Sequence, residues 1–437
     1  MRDRDLTCGG GDLRPWGAVV RDRLLGSPGA AMLIAVGAVV FVGTGSLGWL
    51  LDWRLGVDSA VYRSGAVALL RGDPLYDGPT LNAEPYWALL PFTYPPTAAL
   101  LFLPLAVVPT QVAWGLLAAA SVFGLAVVVR LTLARTSALP DVGRYAVVLT
   151  LLLLALEPVW RTIFLGQVNL VLMTMVVVDV LVLAGFRGAR GRYAGVLIGA
   201  AAAIKLTPLI FVVHLALTGN RPAAARAVGT FAGLQGLLFL LSPHDAARFW
   251  GHSISDPGRT GPLFWNGNQS LNGLVNRLSE LAPWSMEVAI GIGAVLAAPA
   301  VLLVLWSHRA GRPVQALLVT AFYGLLVSPV SWSHHYVWAV PLIVVLLARM
   351  PAALPSTRPA RIVAALALVA VFCSGILLFM RNGRGAELTW AAWEYLPGSA
   401  YLLVPLVAGL VMLARLPELR STGGPAESAG KPTGVPA

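Results

Sequence analysis

Apolar runs recur from residue 29 to residue 416, most of them with no charge inside and many long enough to cross a bilayer as a helix. Segments near 29–51, 96–134, 143–157, 166–186, 193–204, 206–217, 222–243, 286–306, 313–328, 335–348, 362–380 and 398–416 predict about twelve transmembrane helices in an all-α polytopic membrane protein. Residues 96–134 are expected to make one net crossing kinked at Pro104 and Pro109, with three passes or a re-entrant helix as alternatives. Pro208 interrupts the apolar run around Lys205.

The polar positions fall between these runs. Two long connections, 52–95 and 244–285, lie on the same predicted side. In the first, residues 58–71 read as an amphipathic helix lying at the interface. Asp58 is its expected N-cap, Val57, Val61, Leu69 and Leu70 its apolar contacts, and Gly72-Asp73-Pro74 its stop. Asp58 and Tyr62 then share one face at i, i+4. Short turns on this side carry Glu157-Pro158-Val159-Trp160-Arg161, Gly166-Gln167-Val168-Asn169, Lys205-Leu206-Thr207-Pro208 and Ser331-Trp332-Ser333-His334-His335-Tyr336. The second long connection holds Trp250, His252, Arg259, Trp265 and Asn266-Gly267-Asn268-Gln269-Ser270.

Composition agrees with this pattern. The chain has 437 residues, 57% of them hydrophobic and only 12% charged, with a mean hydropathy of +0.76, which no soluble globular domain matches. Residues 29–416 read as one transmembrane domain. Residues 1–28 read as a cytoplasmic segment, not a cleavable signal, because their charged part is long and no small-residue cleavage site follows. Residues 417–437, rich in Gly, Pro and Ser, read as a disordered cytoplasmic tail. The net charge of +11 would suit nucleic acid, but its distribution gives it another meaning. On the predicted topology 21 of the 31 Lys and Arg residues fall on the side of the termini. The positive-inside rule therefore puts both termini in the cytoplasm and the polar turns outside, with no nucleic-acid partner expected. Cys8 and Cys373 are too far apart in the pattern to suggest a disulfide, and the thiols form no metal set. His334 and His335 are adjacent and make a poor metal pair. The run Cys8-Gly9-Gly10-Gly11 follows no strand, so it is no dinucleotide fingerprint.

Each polar residue has a plainer reading. Asp58 caps a helix, Gln167 and Asn169 cap the next span, Lys205 snorkels, Arg161 anchors at the interface, and the His pair joins an aromatic belt with Trp332 and Trp338. Their gathering on one face favours a site.

The motifs Asp58…Tyr62, Gly72-Asp73-Pro74-Leu75-Tyr76, Phe92-Thr93-Tyr94-Pro95-Pro96, Gly166-Gln167-Val168-Asn169, Lys205-Leu206-Thr207-Pro208, Asn268-Gln269-Ser270 and His334-His335-Tyr336 resemble the C-type membrane glycosyltransferases. More narrowly they resemble family 87, within it the mycobacterial α-1,2-mannosyltransferases that elongate phosphatidylinositol mannosides from polyprenyl-phosphate mannose. The resemblance spans about residues 29–416. It implies a C-type fold and an inverting transfer at the outer face of the plasma membrane, from a lipid-phosphate donor to a mannosylated phosphatidylinositol lipid. No cofactor is implied. Asp58 is the candidate base. Lys205, His334, His335 and Arg161 are the candidates for the donor phosphate, and Tyr62, Gln167, Asn169, Trp250, Trp265, Asn268 and Gln269 for sugar and acceptor. One departure concerns metal: Ser59 follows Asp58, so the paired acids of many C-type enzymes are missing and a single base without metal is expected. Other readings are a family 87 enzyme acting on lipomannan or lipoarabinomannan, a lipid or sugar transporter or flippase, and a scaffold. The transporter has support from Asp179, the only acid well inside a predicted span.

Overall fold

The computed structural model describes residues 28–416 apart from 138, 140, 186–187, 351–355 and 357. The expectations for residues 1–27 and 417–437, Cys8 included, lie outside the described residues. Seventeen helices carry the architecture: α1 (Pro28–Leu50), α2 (Val57–Arg71), α3 (Pro96–Leu101), α4 (Thr110–Thr136), α5 (Val142–Leu153), α6 (Glu157–Leu165), α7 (Asn169–Val178), α8 (Val196–Ile204), α9 (Ile210–Leu217), α10 (Arg221–Leu241), α11 (Pro243–Gly251), α12 (Leu271–Leu278), α13 (Ser285–Arg309), α14 (Pro313–Val327), α15 (Ala339–Ala348), α16 (Arg358–Cys373) and α17 (Ala400–Ala414).

Four of these are long and apolar enough to cross a membrane: Ala31–Leu50, Thr110–Thr136, Arg221–Leu241 and Ser285–Arg309. Counting each bent pair as one span raises this to six. The expected twelve is therefore not reached by helices of full crossing length among the described residues. The remaining apolar segments form helices of 10–17 residues, such as Asn169–Leu183 and Pro313–Val327, because Pro and Gly divide runs that composition alone reads as continuous.

The central helix is α4, with 72% of its most apolar stretch buried inside the protein. α1 lies against it closely enough that a Cβ on Gly45 would come within 2.5 Å of the Gln111 carbonyl oxygen, and one on Gly115 within 2.5 Å of that of Phe41. Such approach is how apolar helices gain contact without a hydrophobic drive. Residues 96–106 form two short turns of helix before α4 begins at Thr110.

The connection 52–95 packs into a core shared with neighbouring helices, where Val61, Tyr62, Leu75, Tyr76, Phe92 and Tyr94 are buried with Phe102, Leu172 and Ile204. Two details differ from expectation. The N-cap of α2 is Gly56, at φ 68°, and no side chain caps the helix. Asp58 sits inside the first turn, so its carboxylate remains available. Leu70, expected as an apolar contact, is 63% exposed. The stop at Gly72 is observed, with φ 72° and its N–H returned to the helix.

Asp179 also differs. Its carboxylate accepts from Gly195 N at 2.6 Å and Ile198 N at 2.9 Å. It caps the start of α8 from a neighbouring helix, where a negative charge meets unpaired N–H groups. The acid that favoured a proton-coupled carrier is thus taken up by structure.

Candidate active site

Five chain segments deliver the site: α2, the Tyr94 turn before α3, the start of α6 through α7, the break after α8, and the Ser333–Trp338 turn of 3-10 helix before α15. The break after α8 exists because Pro208 cannot continue the helix. Lys205 takes an extended conformation there, φ −148°. α6 ends at Gly166, φ 68°, where the left-handed turn aims Gln167 and Asn169 inward.

Two linked clusters result. In the first, Tyr62 Oη donates to Gln167 Oε1 at 2.7 Å and lies 3.0 Å from Tyr94 Oη, while Gln167 Nε2 donates to Tyr94 Oη at 3.1 Å. In the second, Lys205 Nζ donates to Asn169 Oδ1 at 3.1 Å and meets His335 Nε2 at 3.0 Å. The Tyr94 ring lies 5.8 Å from Lys205 Nζ and joins the two. Asn169 Nδ2 and Thr162 Oγ1 both donate to the His334 carbonyl, at 3.1 and 3.2 Å. This fixes the histidine turn against α6 and α7. Both ring nitrogens of His334 are without a hydrogen-bond partner although the residue is buried. Buried polar atoms are nearly always partnered, and this ring has its hydrogen-bonding capacity unused within the protein.

Asp58 borders both clusters. Desolvation pushes its carboxyl up to about 6, while Lys205, the Gln167 side chain and Arg161 pull it down. Lys205, outside the helices, has its ammonium lowered by desolvation to about 8, with Asp58 opposing. A carboxylate and an ammonium poised on either side of neutrality suit proton transfer beside an anion.

A small open cleft adjoins Lys205, Asn169 and His335. Asn169, Leu172, Met173 and Val176 line it, one face of α7 over about 10 Å of helix. Phe211, Ala321 and Trp338 complete its apolar wall.

Asp58, Tyr62, Arg161, Gln167, Asn169, Lys205, His334 and His335 are therefore brought together. Asn268 and Gln269 are fully buried and saturated. Asn268 accepts from Ser270 and Ser331 and donates to the Leu263 and Pro329 carbonyls. Gln269 donates to the Asn266 and Gly398 carbonyls and accepts from Tyr401 N and Leu402 N. Their amides tie 244–285 to the histidine turn and to α17, a framework role in place of the expected sugar contact. Trp250 packs on Phe249 and Phe231, and Trp265 on Trp332. Tyr62 and Gln167 are buried and bonded to one another, which makes them supports for Asp58 more than ligands for a sugar. Tyr94, Glu157, Thr162, Ser333 and Tyr401 belong to the site or its supports and were not among the candidates. Tyr94 stood in a motif quoted for the resemblance, with no role of its own assigned.

Apolar helices thus surround a partly buried carboxylate, with Lys205 and Arg161 bearing on it and an apolar cleft alongside. Residues 92–329 match the model of glycosyltransferase family 87. The chain is 32% identical over 419 residues to the polyprenol-phosphate-mannose-dependent alpha-(1-2)-phosphatidylinositol mannoside mannosyltransferase of Mycobacterium tuberculosis, covering 87% of this chain and 91% of that protein. It is 35% identical over 355 residues to the corresponding phosphatidylinositol pentamannoside mannosyltransferase of Mycolicibacterium smegmatis, covering 78% and 82%. The crystal structure of ArnT from Cupriavidus metallidurans bound to undecaprenyl phosphate is a loose likeness, at 18% identity and a TM-score of 0.42 over 86% of this chain and 72% of that one. The chain belongs to glycosyltransferase family 87 and is a glycosyltransferase. The matched stretch includes Arg161, Gln167, Asn169 and Lys205, whereas Asp58 and the His pair lie on either side of it.

Proposed function

We propose that this enzyme transfers mannose from polyprenyl-phosphate mannose to a mannosylated phosphatidylinositol lipid, forming an α-1,2 bond with inversion at the outer face of the plasma membrane. The donor and acceptor are those in the names of its relatives. The observation that carries the reading is the Lys205–Asn169–His335 group at the mouth of an apolar cleft, with Asp58 beside it. A lipid monophosphate fits this division, with its tail along α7 and its phosphate at Lys205.

The acceptor hydroxyl attacks the anomeric carbon on the face opposite the phosphate. The new C–O bond forms as the C–O bond to phosphate breaks, and its electron pair leaves on the lipid phosphate. Asp58 takes the hydroxyl proton. The phosphate gains one negative charge in this step. Lys205, Arg161 and the free His334 ring are the groups that answer it. Both termini are then cytoplasmic, and the segments that fall short of full crossing length complete about twelve crossings in membrane.

The test is transfer of radiolabelled mannose from polyprenyl-phosphate mannose in membranes holding the protein, with a panel of phosphatidylinositol mannosides and linkage analysis of the product. An α-1,2-linked product supports the reading; transfer to none of these lipids sinks it.

A further inference from the structure

Glu157 is a buried carboxylate that the proposed reaction does not use. It is the first residue of α6 and is 1% exposed. Three donors converge on it. Arg161 Nη1 reaches Oε1 at 3.2 Å, Ser333 Oγ reaches Oε1 at 2.9 Å, and Tyr401 Oη reaches Oε2 at 3.0 Å. These come from α6 itself, from the residue before His334, and from α17, 244 residues away. Buried charge is costly, and a carboxylate held by three donors is the form in which a protein tolerates it.

The partners are not arbitrary. Arg161 bears on Asp58 electrostatically, and Thr162, next in the chain, donates to the His334 carbonyl. One short helix thus grips the histidine turn at Ser333 and at His334, and aims Arg161 by an ion pair one helical turn long. Tyr401 brings α17 into the same arrangement. Its ring packs on Phe372 at 4.5 Å and Tyr336 at 5.5 Å, and its backbone N–H is held by Gln269. Ser333 and Tyr401 both lie beyond the stretch matched to the family model.

We infer that Glu157 is a positioning residue of the active site, orienting Arg161 and the Ser333-His334 turn toward the departing phosphate, with Tyr401 of α17 completing its hold. This rests on the proposed reaction. Lys205 and the cleft hold the donor before reaction. Arg161 and His334 matter more as the phosphate gains charge, so loss of Glu157 falls on turnover more than on donor binding.

Glu157→Gln keeps the size and can still bond the two hydroxyls, which rotate to suit it, but removes the charge that holds Arg161. In nanodiscs it is expected to lower kcat by about 10- to 100-fold while the apparent KM for polyprenyl-phosphate mannose changes by less than about 3-fold. The melting temperature stays at the wild-type value. Tyr401→Phe removes one donor from the same carboxylate and gives a smaller loss of the same kind. The double variant is no slower than Glu157→Gln alone, since both act through one group. Wild-type kcat in Glu157→Gln overturns the inference, as does a lowered melting temperature with kcat per folded molecule intact. If Glu157→Gln does not fold, Tyr401→Phe decides, and wild-type kcat there overturns the inference. If the wild-type protein transfers no mannose in the same assay, the proposed function itself falls and takes the inference with it. Transfer by the wild type with variants unchanged sinks the inference alone.

Discussion

Lys205 donates a hydrogen bond to Nε2 of His335 at 3.0 Å. An ammonium has no lone pair, so while Lys205 is charged the imidazole must accept at Nε2 and carry its own proton on Nδ1. The adjacent histidines therefore differ in role. His335 is a neutral acceptor that orients Lys205 together with Asn169, whereas neither ring nitrogen of His334 has a hydrogen-bond partner.

This difference is testable through donor kinetics. Lys205→Met removes the only ammonium in the described part of the site and should raise the apparent KM for the polyprenyl-phosphate donor more than that for the acceptor, with a loss in kcat/KM of about 10²-fold or more. Paired with Lys205→Met, His335→Ala should add little, because His335 acts through Lys205. His334→Ala should add further loss. Full activity of Lys205→Met at unchanged donor KM would mean that this lysine only snorkels.

The rate should depend on pH as a bell. Asp58, raised to about 6, must be ionised to accept a proton, so activity falls as pH drops through that region. Lys205, lowered to about 8, must be protonated to hold the phosphate, so activity falls as pH rises through that region. The two groups interact, so the limbs belong to the pair. Lys205→Arg keeps its charge at any pH and should move the alkaline limb upward. A kcat/KM profile flat from pH 5 to 9 would contradict both assignments.

Gln269→Ala should act on the fold. It leaves two carbonyls and two backbone N–H groups without their partner, at a cost of about 1–3 kcal/mol for each that stays buried and unsatisfied. The expected result is a clear drop in melting temperature with donor and acceptor KM unchanged in the surviving protein. An unaltered melt with a raised KM would restore Gln269 to the sugar.

Topology is read by thiol labelling. With Cys8 and Cys373 replaced by Ser, a cysteine in place of Asp77 should react with an impermeant reagent in intact cells, and one in place of Arg309 should not. Both native side chains are exposed. The opposite pattern would put the site on the cytoplasmic face.

The sequence made Asp58, Lys205 and the His pair legible because polar residues are scarce in so apolar a chain and are kept only where something uses them. It did not reveal which polar groups are spent on the backbone. Asn268 and Gln269 look like ligands in a motif, yet carbonyls and N–H groups up to 133 residues away occupy them. Glu157 and Tyr401 meet across 244 residues of chain, and nothing local links an acid after one apolar run to a tyrosine opening another. Helices of full crossing length are fewer than the predicted runs for a related reason. Hydropathy gives the extent of an apolar run but not the angle at which its helix turns, such as the 74° bend between α5 and α6 at Glu157-Pro158.

The central claim is that Asp58 takes the proton from the acceptor hydroxyl. Its most direct test is the initial rate of mannose transfer by purified Asp58→Asn in nanodiscs, at saturating polyprenyl-phosphate mannose and phosphatidylinositol mannoside. The account predicts a folded protein with an unchanged melting temperature whose rate is lower by about 10²–10⁴-fold, the loss expected of a general base. Turnover within about 3-fold of wild type would contradict it.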